Sequence, residues 1–232
     1  MNIVELETVE DVFNKIDSFQ KDAMAKFRGQ ANSEWALKPK IGRLSKNNLK
    51  SNFLFEQWKR RAKAYLNNPN HTELEWLSIA QHYGLPTHLL DWSHSPLVAL
   101  FFACFEFNEY DSALFVYKPK SYITEDFDPF RDELSEKVYL VSTAATSNRL
   151  ANQFGYFTIH KHPEKDMSVS DYNGELFKYI ISKEIKNDII LKLHHYGINN
   201  LSIFPDLEGL SKHLEWFMNN YNNWSKNPDL NI

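Results

Sequence analysis

Hydrophobic residues recur at helical spacing in several segments of the chain. After the capping pair Thr8 and Asp11 they return every three or four positions, which predicts a helix over about 9–22. The same spacing and its end signals predict further helices at about 48–66, 72–83, 96–107, 144–154, 183–196 and 206–222. The helix at 96–107 is apolar on nearly all sides, so we expect it to be central and buried.

Shorter runs of apolar and β-branched residues lie between these helices. They predict strands at about 24–30, 87–92, 112–117, 137–142, 156–160, 176–182 and 200–204. The strands do not alternate with helices in the regular manner of βαβ units. We therefore predict an α+β fold, in which one domain over residues 1–232 packs helices on a mostly antiparallel sheet.

Composition narrows the classes of partner. The 232 residues are 43% hydrophobic and 15% aromatic, which suffices for a sizeable core. The net charge of −4 lacks the basic surplus typical of nucleic-acid-binding proteins and so argues against that partner. The first residues resemble no signal peptide, and the longest apolar run, 97–105, is far shorter than the roughly 20 residues of a membrane helix. We expect a soluble, cytoplasmic protein without membrane contact.

The numbers and spacing of the cysteine, histidine and glycine residues argue against several kinds of site. The single cysteine, Cys104, excludes a disulfide framework and a cysteine-based zinc site, and we expect no metal. His82, His88 and His94 are six residues apart, so no helix presents them together. The seven glycines are too far apart for a G-x-G-x-x-G or P-loop motif.

The tetrapeptide Phe27-Arg28-Gly29-Gln30 places an arginine at the end of a predicted strand. Arginine offers a planar charged fork suited to phosphates and carboxylates, and the neighbouring glycine would let a ligand approach the backbone. The alternative is a surface arginine before a turn.

Residues 80–93 contain more candidate functional groups than the Phe27–Gln30 tetrapeptide. A helix end, a Gly-x-Pro turn and a buried strand lead into the polar corner Asp91-Trp92-Ser93, just before the apolar helix. Polar side chains beside a helix N-terminus suit a polar or anionic ligand. The alternative is that Asp91 and Ser93 only cap the helix and Trp92 only packs.

Two later corners carry further polar residues. Arg149 and Gln153 lie one turn apart before a strand that contains Phe157. Asp206 and Glu208 stand where a strand is predicted to pass into the last helix. Asp206 alone could be an N-cap.

Together these blocks resemble the FRG domain family, named for its Phe-Arg-Gly motif. The resembling blocks are Phe27–Gln30, Ala80–Trp92 with Pro96–Ala103 behind it, Asn152–Thr158 and Phe204–Leu210, and they span about residues 22–215. The chain departs from the family pattern at His88, where the family usually has arginine, and at Phe154, where it usually has glutamine.

The first two blocks are also similar to motifs of the ADP-ribosyltransferase fold, where an aromatic-Arg-Gly strand contacts NAD. This similarity implies NAD as a co-substrate, with Arg28 on its diphosphate or ribose, Trp92 or another aromatic residue stacked on nicotinamide, and Ser93 orienting Arg28 or the catalytic carboxylate. The implied cofactor-binding residues are Phe27, Arg28, Gly29, Gln30, His88, Trp92, Ser93, Arg149, Gln153 and Phe157.

A fixed carboxylate would stabilise the oxocarbenium-like centre formed when the nicotinamide–ribose bond breaks. Asp206 or Glu208 is the candidate for it, and His82 could position a ribose hydroxyl or act as a base. The implied catalytic residues are Arg28, His82, Asp91, Asp206 and Glu208. The resemblance thus implies an NAD-dependent ADP-ribosyltransferase or NAD glycohydrolase, suited to a bacterial toxin or phage-defence effector, whose macromolecular acceptor the sequence does not name.

Two other function classes use the same residues. A non-catalytic module would bind a nucleotide, a nucleic acid or a protein in the same pocket. A hydrolase or nuclease would use His82 and Asp91, and divalent-metal dependence would distinguish it.

Overall fold

The inner strand β4 (Ser112–Pro119) is apolar on both of its faces. Leu114 and Val116 join one hydrophobic cluster, whereas Phe115 and Tyr117 join another. Because side chains alternate across a strand, both faces of the sheet must be covered. The computed structural model describes residues 2–44, 51–66, 70–123, 137–141, 155–170 and 172–220. In it, both faces of the sheet are covered.

Eight strands form one mixed sheet in the order β1-β8-β4-β2-β3-β7-β6-β5. The strands besides β4 are β1 (Asn2–Leu6), β2 (Lys26–Gln30), β3 (Leu89–Ser93), β5 (Tyr122–Ile123), β6 (Tyr139–Val141), β7 (Gly155–Ile159) and β8 (Gly174–Ile181). β1 pairs parallel with β8 and β5 parallel with β6, and the other neighbours are antiparallel. The expectation of a mostly antiparallel sheet is confirmed.

Seven α-helices pack on this sheet in the described residues. They are α1 (Val9–Asp17), α2 (Ser51–Ala62), α3 (Glu73–His82), α4 (Pro96–Cys104), α5 (Lys186–His195), α6 (Asn200–Ile203) and α7 (Leu207–Asn220). Short 3-10 turns occur at Lys40–Arg43, Lys63–Tyr65, Met167–Val169 and Lys183–Ile185. The predicted α+β class is therefore confirmed.

The apolar helix α4 lies at the centre, as its sequence predicts. Ser95 caps it by accepting a hydrogen bond from the amide of Val98, and Pro96 occupies its first turn. The helix packs directly on β2 within the largest hydrophobic cluster. Cys104 is buried in that cluster, and burial raises the pKa of its thiol to about 12.

The prediction of a strand at 200–204 is wrong. Residues Asn200–Ile203 form the short helix α6. The Asn199 side chain accepts from the amide of Ser202 at 3.1 Å, and the Ser202 hydroxyl accepts from the amide of Asn199 at 2.9 Å. These reciprocal bonds satisfy the first amides of a helix and outweigh the apolar pattern.

Other boundaries also differ from the sequence pattern. α1 ends at Asp17 rather than near residue 22. β1 was not predicted, and most of its residues are exposed. The helix predicted at 144–154 lies outside the described residues.

Candidate functional site

Two of the motifs meet on adjacent strands. β2 carries Phe27–Gln30 and β3 carries Leu89–Ser93, and Phe27 lies opposite Ser93 in the antiparallel pair. A cavity of about 470 Å³ opens there, within the roughly 300–1,000 Å³ of small-molecule sites. Predicted site residues that line it are Phe27, Arg28, Gly29, Gln30, His82, Asp91, Trp92, Ser93 and Phe157.

Arg28 and Asp91 form the charged centre of the cavity. The Nη1 of Arg28 donates to the backbone oxygen of Asp91 at 2.8 Å and lies 3.6 Å from its Oδ2. The Arg28 side chain is 15% exposed and the Asp91 side chain 61%. A largely buried cation therefore lies next to a carboxylate that is more exposed to solvent.

Hydrogen bonds from α3 and the following turn orient that carboxylate. Gln81 Nε2 donates to Asp91 Oδ1 at 2.6 Å, and the Thr87 hydroxyl donates to Gln81 Oε1. Thr87 Oγ1 also accepts from the amide of Leu89 at 3.2 Å. The helix end, the turn and β3 thus hold Asp91 in one orientation.

The cavity carries a surplus of positive charge. Its basic lining residues in the described part of the chain are Arg28, Lys40 and Arg43, and its acidic ones are Asp91 and Glu106. Burial lowers the pKa of Arg28 to about 10, an effect that Asp91 opposes and Arg43 reinforces. Arg28 is thus protonated at neutral pH. Its buried Nε has no hydrogen-bond partner among the described residues.

Residues 23–112 match the family model described as FRG domain. Over these residues the chain carries an FRG domain. All lining residues of the cavity lie within the matched range except Gly155, Tyr156 and Phe157. No curated protein and no solved structure matches the chain.

The glycine of the Phe-Arg-Gly motif has a packing role in this FRG domain. A Cβ at Gly29 would lie 1.9 Å from the carbonyl oxygen of Ala99 and 2.5 Å from the amide nitrogen of Ala103. Both atoms belong to α4. The expectation that Gly29 lets a ligand approach the backbone is therefore corrected: its missing side chain lets α4 approach β2.

The expected roles of Trp92 and Ser93 also need correction. Trp92 is buried, its indole N–H donates to Thr158 Oγ1 at 3.0 Å, and its ring packs against Tyr117. A ring enclosed in this way cannot stack on nicotinamide. Ser93 Oγ accepts from the amide of Ser95 at 3.0 Å, so it shapes the turn into α4.

Two histidines of the FRG domain take different places. His82, at the end of α3, lines the cavity and makes an edge-to-face contact with Tyr83. His88, which stands where the family usually has arginine, does not line it. Its Nδ1 donates to the carbonyl oxygen of His160 at 2.9 Å, and burial lowers its pKa. His88 therefore ties the start of β3 to the end of β7.

The late carboxylates are not brought to the cavity. Asp206 Oδ1 accepts from the amide of Gly209 at 2.8 Å, which is the N-cap alternative, and Glu208 is exposed and paired with Lys212. Neither of them lines the cavity or lies on a strand. Arg149 and Gln153 lie outside the described residues.

Several residues that line the cavity were not predicted from the sequence. Lys40 and Arg43 arrive from the irregular segment after β2, where no local pattern points to a ligand. Gln81 lies within residues 80–93 but was not predicted to be a site residue. An aromatic wall was also missed, and its members are Trp35, Phe102, Phe107 and Tyr156.

In the described residues, no helix has the length and apolarity to cross a membrane. No group of three or more His, Cys, Asp or Glu side chains in this part of the chain could hold a metal ion.

Proposed function

We propose that the cavity between β2 and β3 binds a nucleotide, with NAD as the first candidate, and that the protein cleaves NAD as an ADP-ribosyltransferase or NAD glycohydrolase. The observation that carries the proposal is the state of Arg28. Its guanidinium is held inside the cavity and stays protonated at neutral pH, and its Nε has no partner among the described residues. A buried donor of this kind favours an anionic ligand.

The surrounding charge supports a phosphate-bearing ligand. Arg43 lies near enough to Arg28 to lower its pKa, although Asp91 stands beside both. An incoming diphosphate would offset the repulsion between the two guanidinium groups and would accept hydrogen bonds from both. Affinity for such a ligand should fall with added salt.

Asp91 is the carboxylate best suited to the cleavage step. The bond between ribose C1′ and the nicotinamide nitrogen breaks, and its electron pair leaves with nicotinamide. Water or an acceptor hydroxyl then bonds to C1′ and releases its proton to a carboxylate or to solvent. Asp91 is held by Gln81 and open to the cavity. A fixed carboxylate of this kind stabilises the positive charge that develops on ribose.

Nicotinamide release from NAD, followed by chromatography, tests the enzyme. We expect release by the wild-type protein and a loss of about 100-fold or more in Asp91→Asn, because fixed electrostatic groups contribute that much. Glu208→Gln is the matched control, since this carboxylate pairs with Lys212 outside the cavity. The enzymatic proposal fails if wild-type protein releases no nicotinamide, with or without candidate protein acceptors.

A non-catalytic nucleotide-binding module is the second candidate. Both carboxylate oxygens of Asp91 face donors of the protein, Gln81 and Arg28, and such a carboxylate can simply order a binding site. This candidate predicts that NAD binds and is recovered unchanged after long incubation.

The proposed chemistry suits a toxin or a phage-defence effector, because loss of NAD stops growth. Expression in bacteria should then lower cellular NAD and slow growth, and Asp91→Asn should do neither. Equal growth arrest by both proteins would argue against NAD loss as the cause.

A further inference from the structure

A wall of exposed aromatic rings forms one side of the cavity. Trp35 is 42% exposed and Phe107 is 45% exposed, and both line the cavity together with Phe102 of α4. The rings of Trp35 and Phe107 meet edge to face, with centroids 5.3 Å apart. Large rings left open to a cavity suit a ligand that covers them.

The backbone of Phe107 has an unusual conformation. Its φ is +54°, and it is the only described residue other than glycine with a positive φ. Bulky side chains rarely adopt this region, and such conformations persist where the surrounding structure enforces them. The position of the Phe107 ring therefore depends on whatever holds its backbone.

Lys186 of α5 holds it. This lysine is fully buried, and its Nζ donates to the carbonyl oxygens of Phe107 at 2.8 Å and Glu106 at 2.9 Å. It also donates to the carbonyl oxygen of Ala31 at 3.2 Å, directly after β2. One ammonium group thus joins the loop that carries Phe107 to the end of the strand that carries Arg28.

The aromatic wall and the cationic centre share one cavity. Arg28, Lys40 and Arg43 line it along with the rings, so a ligand can present an anionic group to the first set and a flat ring to the second. Stacking of a nucleic-acid base on a protein ring contributes a gain in affinity of roughly 5- to 150-fold.

We propose that Trp35 and Phe107, with Phe102 beside them, form a subsite for the planar heteroaromatic ring of the nucleotide, and that Lys186 is its positioning residue. This inference rests on the proposed function for the anionic part of the ligand. The ring is the adenine or the nicotinamide of a dinucleotide, which share flat geometry and differ in charge and size.

Calorimetry with four probes tests the subsite: ADP, inorganic pyrophosphate, adenosine and nicotinamide. If the ring is adenine, Trp35→Ala and Phe107→Ala should each weaken ADP binding about tenfold or more, and if it is nicotinamide, they should weaken nicotinamide binding to the same extent. Pyrophosphate binding should be unchanged in both cases. Trp35→Phe should largely restore the weakened binding. Tyr122→Ala removes an exposed ring that does not line the cavity and should change nothing. Whichever of adenosine or nicotinamide shows the Trp35-dependent binding identifies the ring.

Lys186→Met tests the positioning role. It should weaken the binding of whichever probe binds through Trp35, relative to that of pyrophosphate. Lys186→Arg, which keeps the charge and several donors, should retain more of that binding. If Lys186→Met does not fold, the Trp35 and Phe107 variants still decide the subsite. Quenching of Trp35 fluorescence, as the difference between wild type and Trp35→Phe, gives a second readout of the ring.

The outcomes separate this inference from the proposed function. If ADP and pyrophosphate bind alike and neither adenosine nor nicotinamide shows Trp35-dependent binding, the ring subsite is overturned while anion binding stands. If adenosine or nicotinamide binds through Trp35 but ADP, NAD and pyrophosphate do not bind, the proposed function fails and the subsite stands. If no probe binds, both are overturned.

Discussion

Gly29→Ala tests the packing role of the motif glycine. The new Cβ would lie 1.9 Å from the carbonyl oxygen of Ala99. Real Cβ contacts below 3.0 Å essentially never occur, so α4 and β2 would have to separate by about 1.1 Å, the difference between 3.0 and 1.9 Å. The obstructing atoms are backbone atoms of α4, so no side-chain rotation relieves the clash.

The expected cost is at the upper end of the range for overpacked cores. Forced insertion of a methyl group costs about 1–3 kcal/mol and sometimes more. Because a whole buried helix must move here, we expect Gly29→Ala to lower the free energy of unfolding by about 3 kcal/mol. In a chain of this length such a loss lowers Tm by roughly 6–12 °C. Urea denaturation followed by tryptophan fluorescence, with thermal unfolding by circular dichroism, measures both values.

Gly84→Ala is the matched control. Gly84 has φ of +88° and nothing lies within 4 Å of an added Cβ, so only the left-handed backbone opposes alanine, at about 1–2 kcal/mol. The packing explanation is refuted if Gly29→Ala unfolds like wild type. Wild-type stability combined with weakened nucleotide binding would instead support ligand approach as the role of Gly29.

Three further predictions concern single side chains. Burial lowers the pKa of His160 to about 3, so the unfolded chain binds one more proton below pH 6.5. The free energy of unfolding should then fall by about 2 kcal/mol between pH 6.5 and 5.0 through this residue, and urea titrations of His160→Gln should show a shallower pH dependence. Equal slopes would contradict this. Asp206→Ala should lose about 1 kcal/mol of stability, as an N-cap does, with unchanged NAD cleavage; loss of cleavage in folded protein would restore Asp206 as catalytic. Cys104, whose pKa is raised to about 12 by burial, should react with thiol reagents only in denaturant, and rapid native labelling would show that α4 is open.

Local sequence signals predict most of the elements that carry the site. The apolar run of α4, the β-like run of β3 and the Gly-x-Pro turn before it depend on neighbours in sequence, so periodicity and turn chemistry identify them. Arg28 and Asp91 were both selected as candidates. Their contact could not be derived from local sequence, because it depends on the pairing of β2 with β3 between residues that are 63 positions apart.

The residues that the sequence did not indicate are those placed by tertiary contacts. Arg43 and Lys40 reach the cavity from an irregular segment. Lys186 is buried, but its sequence context is that of an ordinary surface lysine near the start of a helix. The strand predicted at 200–204 fails for a different reason, since the capping bonds between Asn199 and Ser202 override its apolar pattern.

Direct binding of NAD by calorimetry, in wild-type protein and in Arg28→Gln, tests the central claim that the cavity between β2 and β3 binds a nucleotide. Charge-assisted hydrogen bonds contribute about 1.5–3 kcal/mol each, so Arg28→Gln should weaken binding by roughly 10- to 100-fold. Arg28→Lys should fall between the two. Arg61→Gln, which removes an exposed arginine of α2 outside the cavity, should bind like wild type. Equal NAD affinity of folded Arg28→Gln and wild type, or no NAD binding by wild type, would contradict the claim.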